Sequence, residues 1–302
     1  MPNKKNGGVP PICDDHRKLW VPVGCGVCME CMKQKALQWK IRLVEEIKIQ
    51  PHSYFVTLTF APDSLKELLN NSHLKTECNA VAGIAIRKFL ERWRKKYKKS
   101  LKHWLITELG HENTERIHLH GILFSDFEIT HDELNNIWKY GHIDIGKYCN
   151  IKTINYIAKY VTKIDNDHKN YRPEIFCSPG IGKTYIERIK QTNIHQFQED
   201  KTTTFYRFHN GKKANLPIYY RNHLFSEDER EKLWIHKLNE NVRFVNGIKI
   251  EKFDTPEGYA RYERVLKKAQ EKNLQYGYGD CTAEWKKEKY NVTRKMLMKE
   301  KN

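Results

Sequence analysis

Apolar positions change period several times along the chain, and each change marks an element. Leu37, Ile41 and Val44 recur at helical spacing with Trp39, Leu43 and Ile47 beside them, and Pro51 ends that run. Ser53–Phe60 (SYFVTLTF) is dense in β-branched and aromatic residues and reads as a strand. Residues 61–78 read as a loop with a short helix. From Asn79 to Lys99, Ile86, Phe89, Leu90, Trp93 and Tyr97 form one helical stripe. His103–Leu109 and Ile117–Phe124 read as strands joined by a polar loop. Thr130 and Glu133 form a capping box opening a short helix, with its stop expected at Gly141. His142–Gly146 reads as a strand and residues 151–163 as a closing helix. The order β-α-β-β-α-β predicts an α+β fold: an antiparallel sheet of ferredoxin-like or RRM-like plan, with helices on one face. This divides the chain into a Cys-rich segment and helix (1–50), a core (51–165) and a partly helical C-terminal extension (166–302), whose charged tail begins near Thr255.

Charge narrows the partners. The chain has 54 Lys+Arg against 37 Asp+Glu, a net +17 over 302 residues. Such an excess favours a polyanion, nucleic acid before acidic lipid. No apolar run reaches a membrane span's length, and the polar start, Met1 to Pro11, lacks a signal peptide's apolar segment. A reducing, cytosolic compartment is expected for the eight cysteines. Arg87, Lys88, Arg92, Arg94, Lys95 and Lys96 on the 79–99 helix are candidate DNA contacts, while Trp93 and Tyr97 read as core.

In RIHLHGIL, His118 and His120 are two apart on a strand, so both rings share a face. If the hairpin pairs symmetrically about its loop, Glu108 lies opposite His118 on that face. Two imidazoles and a carboxylate can hold a divalent cation with positions left open; Mg²⁺ or Mn²⁺ suits a nuclease, and Zn²⁺ is the alternative. The competing reading is a pair of ordinary surface histidines.

In NYIAKYVTK, Tyr156 and Tyr160 stand at i, i+4 on one helix face, with Lys163 continuing the row and Lys159 beside it. A phenol activated near cations can attack a phosphodiester and keep its energy in a phosphotyrosine link. Two packed core aromatics would be the plainer reading; the order of strand, Glu108, His-Leu-His and Tyr-x-x-x-Tyr favours catalysis.

Two further motifs carry less. Cys25, Cys28 and Cys31, with Cys13 upstream, can enclose structural Zn²⁺, although similar spacing opens iron–sulfur runs and free thiols would also satisfy it. Cys78, Cys149, Cys177 and Cys281 are isolated and read as ordinary thiols. GIGKT at 180–184 lacks the first P-loop glycine, since Cys177 stands there, so it reads as a turn rather than an ATP site.

The segments CGVCMEC, FVTLTF, ITELG, RIHLHGIL, YIAKYVTK, SPGIGKTYIE and LPIYYR, in this order, resemble the HUH endonucleases. More narrowly, the chain looks like the replication initiators of the gokushovirus branch of the Microviridae, over residues 20–222. The resemblance implies the HUH fold, His118 and His120 as metal ligands, and Tyr156 and Tyr160 as nucleophiles with Lys159 and Lys163 beside them. Glu108 is the third ligand, with His111 as its substitute. It also implies nicking of origin DNA through a 5′-phosphotyrosine, rejoining to release circular single strands, and host helicase and polymerase as partners in the bacterial cytoplasm. A transposase or plasmid initiator of the same superfamily is the alternative, and outside it a non-catalytic RRM-like nucleic-acid-binding module.

Overall fold

The computed structural model describes residues 24–70, 78–110, 116–146, 149–165 and 171–278. His111, Cys13 and Cys281 lie outside these, as does the side chain of Cys78. The chain forms two compact units. One is residues 32–240; in the other, the described parts are 24–31 and 241–278.

The larger unit is built on a five-stranded antiparallel sheet. In chain order come α1 (Met29–Ile47), β1 (His52–Leu58), α2 (Pro62–Asn70), α3 (Cys78–Tyr97), β2 (Lys102–Leu109), β3 (Ile117–Ser125), α4 (His131–Trp138), β4 (Ile143–Gly146), α5 (Ile151–Thr162) and β5 (Ile175–Cys177). The sheet order is β4-β1-β3-β2-β5. Its first four strands run 4-1-3-2, the ferredoxin-like arrangement expected from the sequence, and β5 extends the β2 edge beside Trp104–Ile106. β2 and β3 approach so closely that a Cβ at Gly121 would lie 2.1 Å from the Trp104 carbonyl oxygen. Only glycine fits there.

Helices cover both faces, not one. Leu119 and Leu123 of β3 pack with Phe89 and Trp93 of α3 and Leu134 and Trp138 of α4. Ile122 and Phe124 pack on the other side with Leu43 and Val44 of α1 and Ile154 and Ile157 of α5. The cause lies in β2 and β3, whose stretches Trp104–Ile106 and Ile122–Phe124 are apolar at consecutive positions and so need cover on both sides. The α3 stripe is anchored by Phe89 and Trp93, both almost fully buried. Each such side chain contributes about 1.5–3 kcal/mol, against tenths for a surface pair such as Lys99–Asp126. Packing therefore holds this helix, not its charges.

α4 opens with the expected capping box, Thr130 Oγ1 accepting from the Glu133 N–H while Glu133 accepts from the Thr130 N–H. It ends at Trp138 rather than at Gly141, with Lys139 in the left-handed region at φ 63°. Arg92 takes over the terminating role: its guanidinium donates to the carbonyls of Ile137 and Trp138, each at 2.6 Å, and to the Tyr140 hydroxyl. Arg92, a candidate DNA contact in the sequence, thus has three of its five N–H donors engaged within the fold.

The rest of the larger unit packs on the outer side of α1. It comprises α6 (Lys183–Lys190), the hairpin β6 (Phe205–Arg207) and β7 (Lys213–Asn215), α7 (Ile218–Leu224) and α8 (Glu227–Asn239). Ile41 of α1 shares a core with Tyr185, Ile189, Tyr206, Tyr220 and Phe225. Two carboxylates beneath this layer are almost wholly buried. Glu45 accepts from Lys48, Arg188 and the Tyr206 hydroxyl. Glu46 accepts from Lys102, Gln50 and the Gly182 N–H.

The smaller unit contains the hairpin β8 (Val242–Val245) and β9 (Ile248–Glu251) and the charged helix α9 (Pro256–Gln275). Val245, Ile250 and Ala269 form its core. Thr255 caps α9, close to where the sequence places the start of a helical tail.

Burial alone would raise the Glu45 carboxyl, but its donors outweigh this and hold it below the usual carboxylate range. A depressed folded-state pKa adds stability above the unfolded value, and that stability is lost as pH falls through the folded one. Glu45→Gln is expected to lower neutral-pH stability by roughly 2 kcal/mol and to flatten its loss below about pH 4.5. Urea melts across pH 3–7 measure both. Parallel pH profiles for the two proteins would remove Glu45 from this role.

Candidate active site

Register brings three side chains to one point. β2 and β3 pair with Glu108 opposite His118, and β1 and β3 with Thr57 opposite His120. Strand alternation then turns Glu108, His118, His120, Thr57 and Phe55 to the α5 side of the sheet. Glu108 Oε2 is 3.0 Å from His118 Nε2 and 2.8 Å from His120 Nε2. The three side chains are 12, 22 and 10% exposed, enclosed but open to solvent on one side.

The hydrogen-bond inventory tests whether a cation fits. His118 Nδ1 lies 3.3 Å from the Arg116 carbonyl oxygen, and its Nε2, like that of His120, faces Glu108 Oε2. Two imidazole nitrogens and one carboxylate oxygen, all within 4.8 Å of one another, form a suitable donor set for a divalent cation. His120 Nδ1 meets the Thr57 hydroxyl at 3.1 Å, a contact that fixes its ring plane. Thr57 was not singled out from the sequence; its same-face position in the alternating FVTLTF strand was the available signal. The group can hold a metal ion.

The tyrosines stand directly beside it. The Tyr160 ring stacks on His120 with centroids 4.4 Å apart and planes 16° from parallel. The Tyr160 hydroxyl donates to the Tyr156 oxygen at 2.7 Å, and Phe55 meets Tyr156 edge-on. The two phenols are unequal: Tyr160 is 9% exposed and Tyr156 46%. Burial raises the Tyr160 pKa, and donation to Tyr156 and the Glu108 charge add to the rise.

The lysines take different places. Lys159 is exposed on α5. The helix ends at Thr162, and Lys163 turns extended instead of continuing the tyrosine row. Its ammonium ion pairs with Glu108 Oε1, leaving Oε2 for the imidazoles. Burial would raise the Glu108 carboxyl, but donation from His118, His120 and Lys163 holds it well below the usual carboxylate range.

Other sequence candidates lie elsewhere. Arg87, Lys88, Arg94, Lys95 and Lys96 are exposed on α3, across the sheet from the histidines and tyrosines, so the structure does not bring them to this site. In the smaller unit, the sulfurs of Cys25, Cys28 and Cys31 lie within 4.8 Å of one another, with Cys25 and Cys31 at 4.0 Å. Tetrahedral Zn–S bonds of about 2.3 Å place sulfurs about 3.8 Å apart, so these three fit. Burial pushes the Cys31 thiol up to about 12. Cys149 and Cys177 are half-buried, and burial raises both thiols, Cys149 to about 12. In GIGKT, the Gly182 N–H donates to Glu46 Oε2 at 2.7 Å, so that N–H is committed to a carboxylate within the fold.

Residues 53–165 match the family model described as replication-associated protein ORF2/G2P. That span holds the histidines, Glu108 and both tyrosines. The chain is 22% identical over 226 residues to replication-associated protein VP4 of Bdellovibrio phage phiMH2K, covering 65% of each chain. It is 23% identical over 238 residues to replication-associated protein ORF4 of Chlamydia phage 1, covering 68% of this chain and 55% of that one. The chain is related to phage replication-associated proteins. The resemblance read from the sequence is borne out at that level, and the chain spans less than two thirds of the length of these curated relatives. No solved structure matches. No helix among the described residues is long and apolar enough to cross a membrane.

Titration calorimetry with Mn²⁺ tests the donor set. His118→Ala is expected to weaken binding at least 10-fold, and Thr57→Val less, because it only orients a ligand. An isotherm unchanged by His118→Ala would put the cation elsewhere.

Proposed function

We propose that this protein is a rolling-circle replication initiator of the HUH endonuclease type. In this reading it nicks single-stranded origin DNA through a 5′-phosphotyrosine and rejoins the strand to release circular single-stranded DNA. One observation carries the proposal: a metal-competent Glu-His-His group in ring contact with Tyr160, the second of two hydrogen-bonded tyrosines. The similarity to phage replication-associated proteins supports it. A non-catalytic RRM-like role is disfavoured, since it gives no reason for a carboxylate shared between two imidazoles.

Glu108, His118 and His120 would hold Mg²⁺ or Mn²⁺, which would supply charge neutralisation at the scissile phosphate. The protein's own groups do the rest. Tyr156 is the first nucleophile, because it is exposed and its oxygen already accepts a hydrogen bond from Tyr160. That bond stabilises the phenolate as the Tyr156 proton leaves to solvent. The phenolate oxygen bonds to phosphorus, the bond from phosphorus to the 3′ oxygen breaks, and that oxygen takes a proton from solvent so that the strand departs with a free 3′-OH. Lys159, exposed on the same helix, adds positive charge for the phosphate, and Lys163 holds Glu108 in place. After one circuit Tyr160 cuts the regenerated origin, and the released 3′-OH attacks the Tyr156 phosphodiester to close the circle.

Strand opening and extension would fall to a host helicase and polymerase, in the bacterial cytoplasm. The cluster of Cys25, Cys28 and Cys31 is read as a structural Zn²⁺ site. The exposed α3 cations would contact duplex phosphates away from the scissile strand.

Covalent trapping is the test. Single-stranded fragments tiling the replicon that encodes this chain are incubated with protein and Mn²⁺, then resolved under denaturing conditions. Wild type is expected to give one DNA-linked species, abolished by EDTA. Tyr156→Phe should lower first-strand adduct by at least about 100-fold, Tyr160→Phe should slow first-strand adduct only about 10-fold, as loss of one hydrogen bond to the phenolate does, but block circle release, and the double variant should give none. Adduct persisting in the double variant, or absent from wild type with both Mg²⁺ and Mn²⁺, would sink the proposal.

A further inference from the structure

A groove of about 850 Å³ runs between α1, the start of α5 and the β6–β7 hairpin. Leu37, Val44 and Tyr206 form an apolar floor, and Lys40, Lys48, Lys212 and Lys213 line it with no aspartate or glutamate among the lining residues. Rings and ammonium groups alternate: Lys213 Nζ lies 4.4 Å from the Phe205 ring centroid and Lys40 Nζ 5.3 Å from that of Phe208. The far wall is Ile151 and Asn155 of α5, and the residue after Asn155 is the exposed Tyr156. The hairpin lies outside the matched span 53–165, so nothing in the family comparison assigns it a role.

We infer that this groove is a binding site for single-stranded DNA, guiding the strand along α5 to Tyr156. Charge selects a polyanion. Lys48 is engaged by Glu45, which leaves Lys40, Lys212 and Lys213 as the cations offered to phosphates. Phe205 and Phe208, partly buried with Lys213 and Lys40 over their rings, select unpaired bases when those ammonium groups turn to phosphates, because only a strand free of its complement can stack bases on side-chain rings. Tyr206 keeps the hairpin in place by donating to buried Glu45, whose charge is balanced by Lys48 and Arg188 and so does not repel the strand. The choice of DNA as the strand rests on the nicking reading above; the groove's preference for a single strand does not.

The test uses the full chain, a fluorescein-labelled 25-nucleotide oligodeoxynucleotide of mixed sequence, and the same oligonucleotide as a duplex. Anisotropy titrations are run between 50 and 200 mM NaCl. Lys40→Ala/Lys212→Ala/Lys213→Ala is expected to weaken single-strand binding at least 10-fold and to reduce the slope of log affinity against log salt by about 2. The triple Lys→Arg variant should recover both, which a folding defect would not allow. Phe208→Leu should cost about fivefold with the slope unchanged, as loss of one stacking contact does. Unchanged single-strand affinity in the triple alanine variant, or an equal loss on duplex, overturns the inference. Normal adduct formation with unchanged affinity removes the groove alone; lost affinity in the variant, with wild type never forming an adduct, removes the nicking reading and leaves the groove.

Discussion

The site depends on one pairing: Glu108 directly opposite His118 across two antiparallel strands. Both histidines lie on the same strand and Glu108 on its neighbour, so a slip of one residue would turn the carboxylate to the α3 side while the imidazoles stayed. Two features resist that slip. Leu105, Leu109, Ile117 and Leu119 fix which positions face α3, since each is buried there. Gly121 allows the close approach of β2 that sets the pairing, and no other residue would fit against the Trp104 carbonyl. The same register that builds the core therefore places the ligands, and site geometry cannot be altered independently of folding.

A second constraint joins the C-terminal half of the larger unit to the sheet. Glu45 and Glu46 are adjacent on α1 and accept from residues far along the chain, Arg188 and Tyr206 for one, Lys102 and Gly182 for the other. A buried carboxylate without such donors would be strongly unfavourable. The network thus fixes the position of α6 and the β6–β7 hairpin relative to α1, and with it the groove leading to α5. Polar burial here specifies where the hairpin goes; the aromatic cluster of Tyr185, Tyr206 and Tyr220 supplies cohesion.

Much of this was legible in the residues. Alternation in SYFVTLTF and IHLHGILF made strands, Thr130 and Glu133 marked a helix start, and the i, i+4 spacing of Tyr156 and Tyr160 put two phenols on one face. The hairpin's symmetry brought Glu108 to His118 before any coordinates. What escaped had physical reasons. Cover on both sheet faces was hidden because consecutive apolar residues in β2 and β3 blur the alternation. β5, β6 and β7 have three residues each, too short for a period to show. Arg92 and Lys163 looked like members of cationic rows, and only their tertiary partners, the α4 carbonyls and Glu108, separate them from the solvent-facing lysines.

The inequality of the two phenols follows from where α5 crosses the sheet. Its i, i+4 row lies along the edge of the packed face, so the later tyrosine enters the core against His120 while the earlier one projects beyond it. Tyr160 can then serve Tyr156 by donating a hydrogen bond to its oxygen, an asymmetry that two equally exposed tyrosines would lack. In the proposed reaction this gives the pair an order without any conformational switch. Once Tyr156 carries the 5′ phosphate it no longer needs that donor, and the Tyr160 hydroxyl is released to act in its turn. The groove formed by the β6–β7 hairpin reaches α5 at Asn155, on the Tyr156 side, so the incoming strand would meet the exposed phenol first.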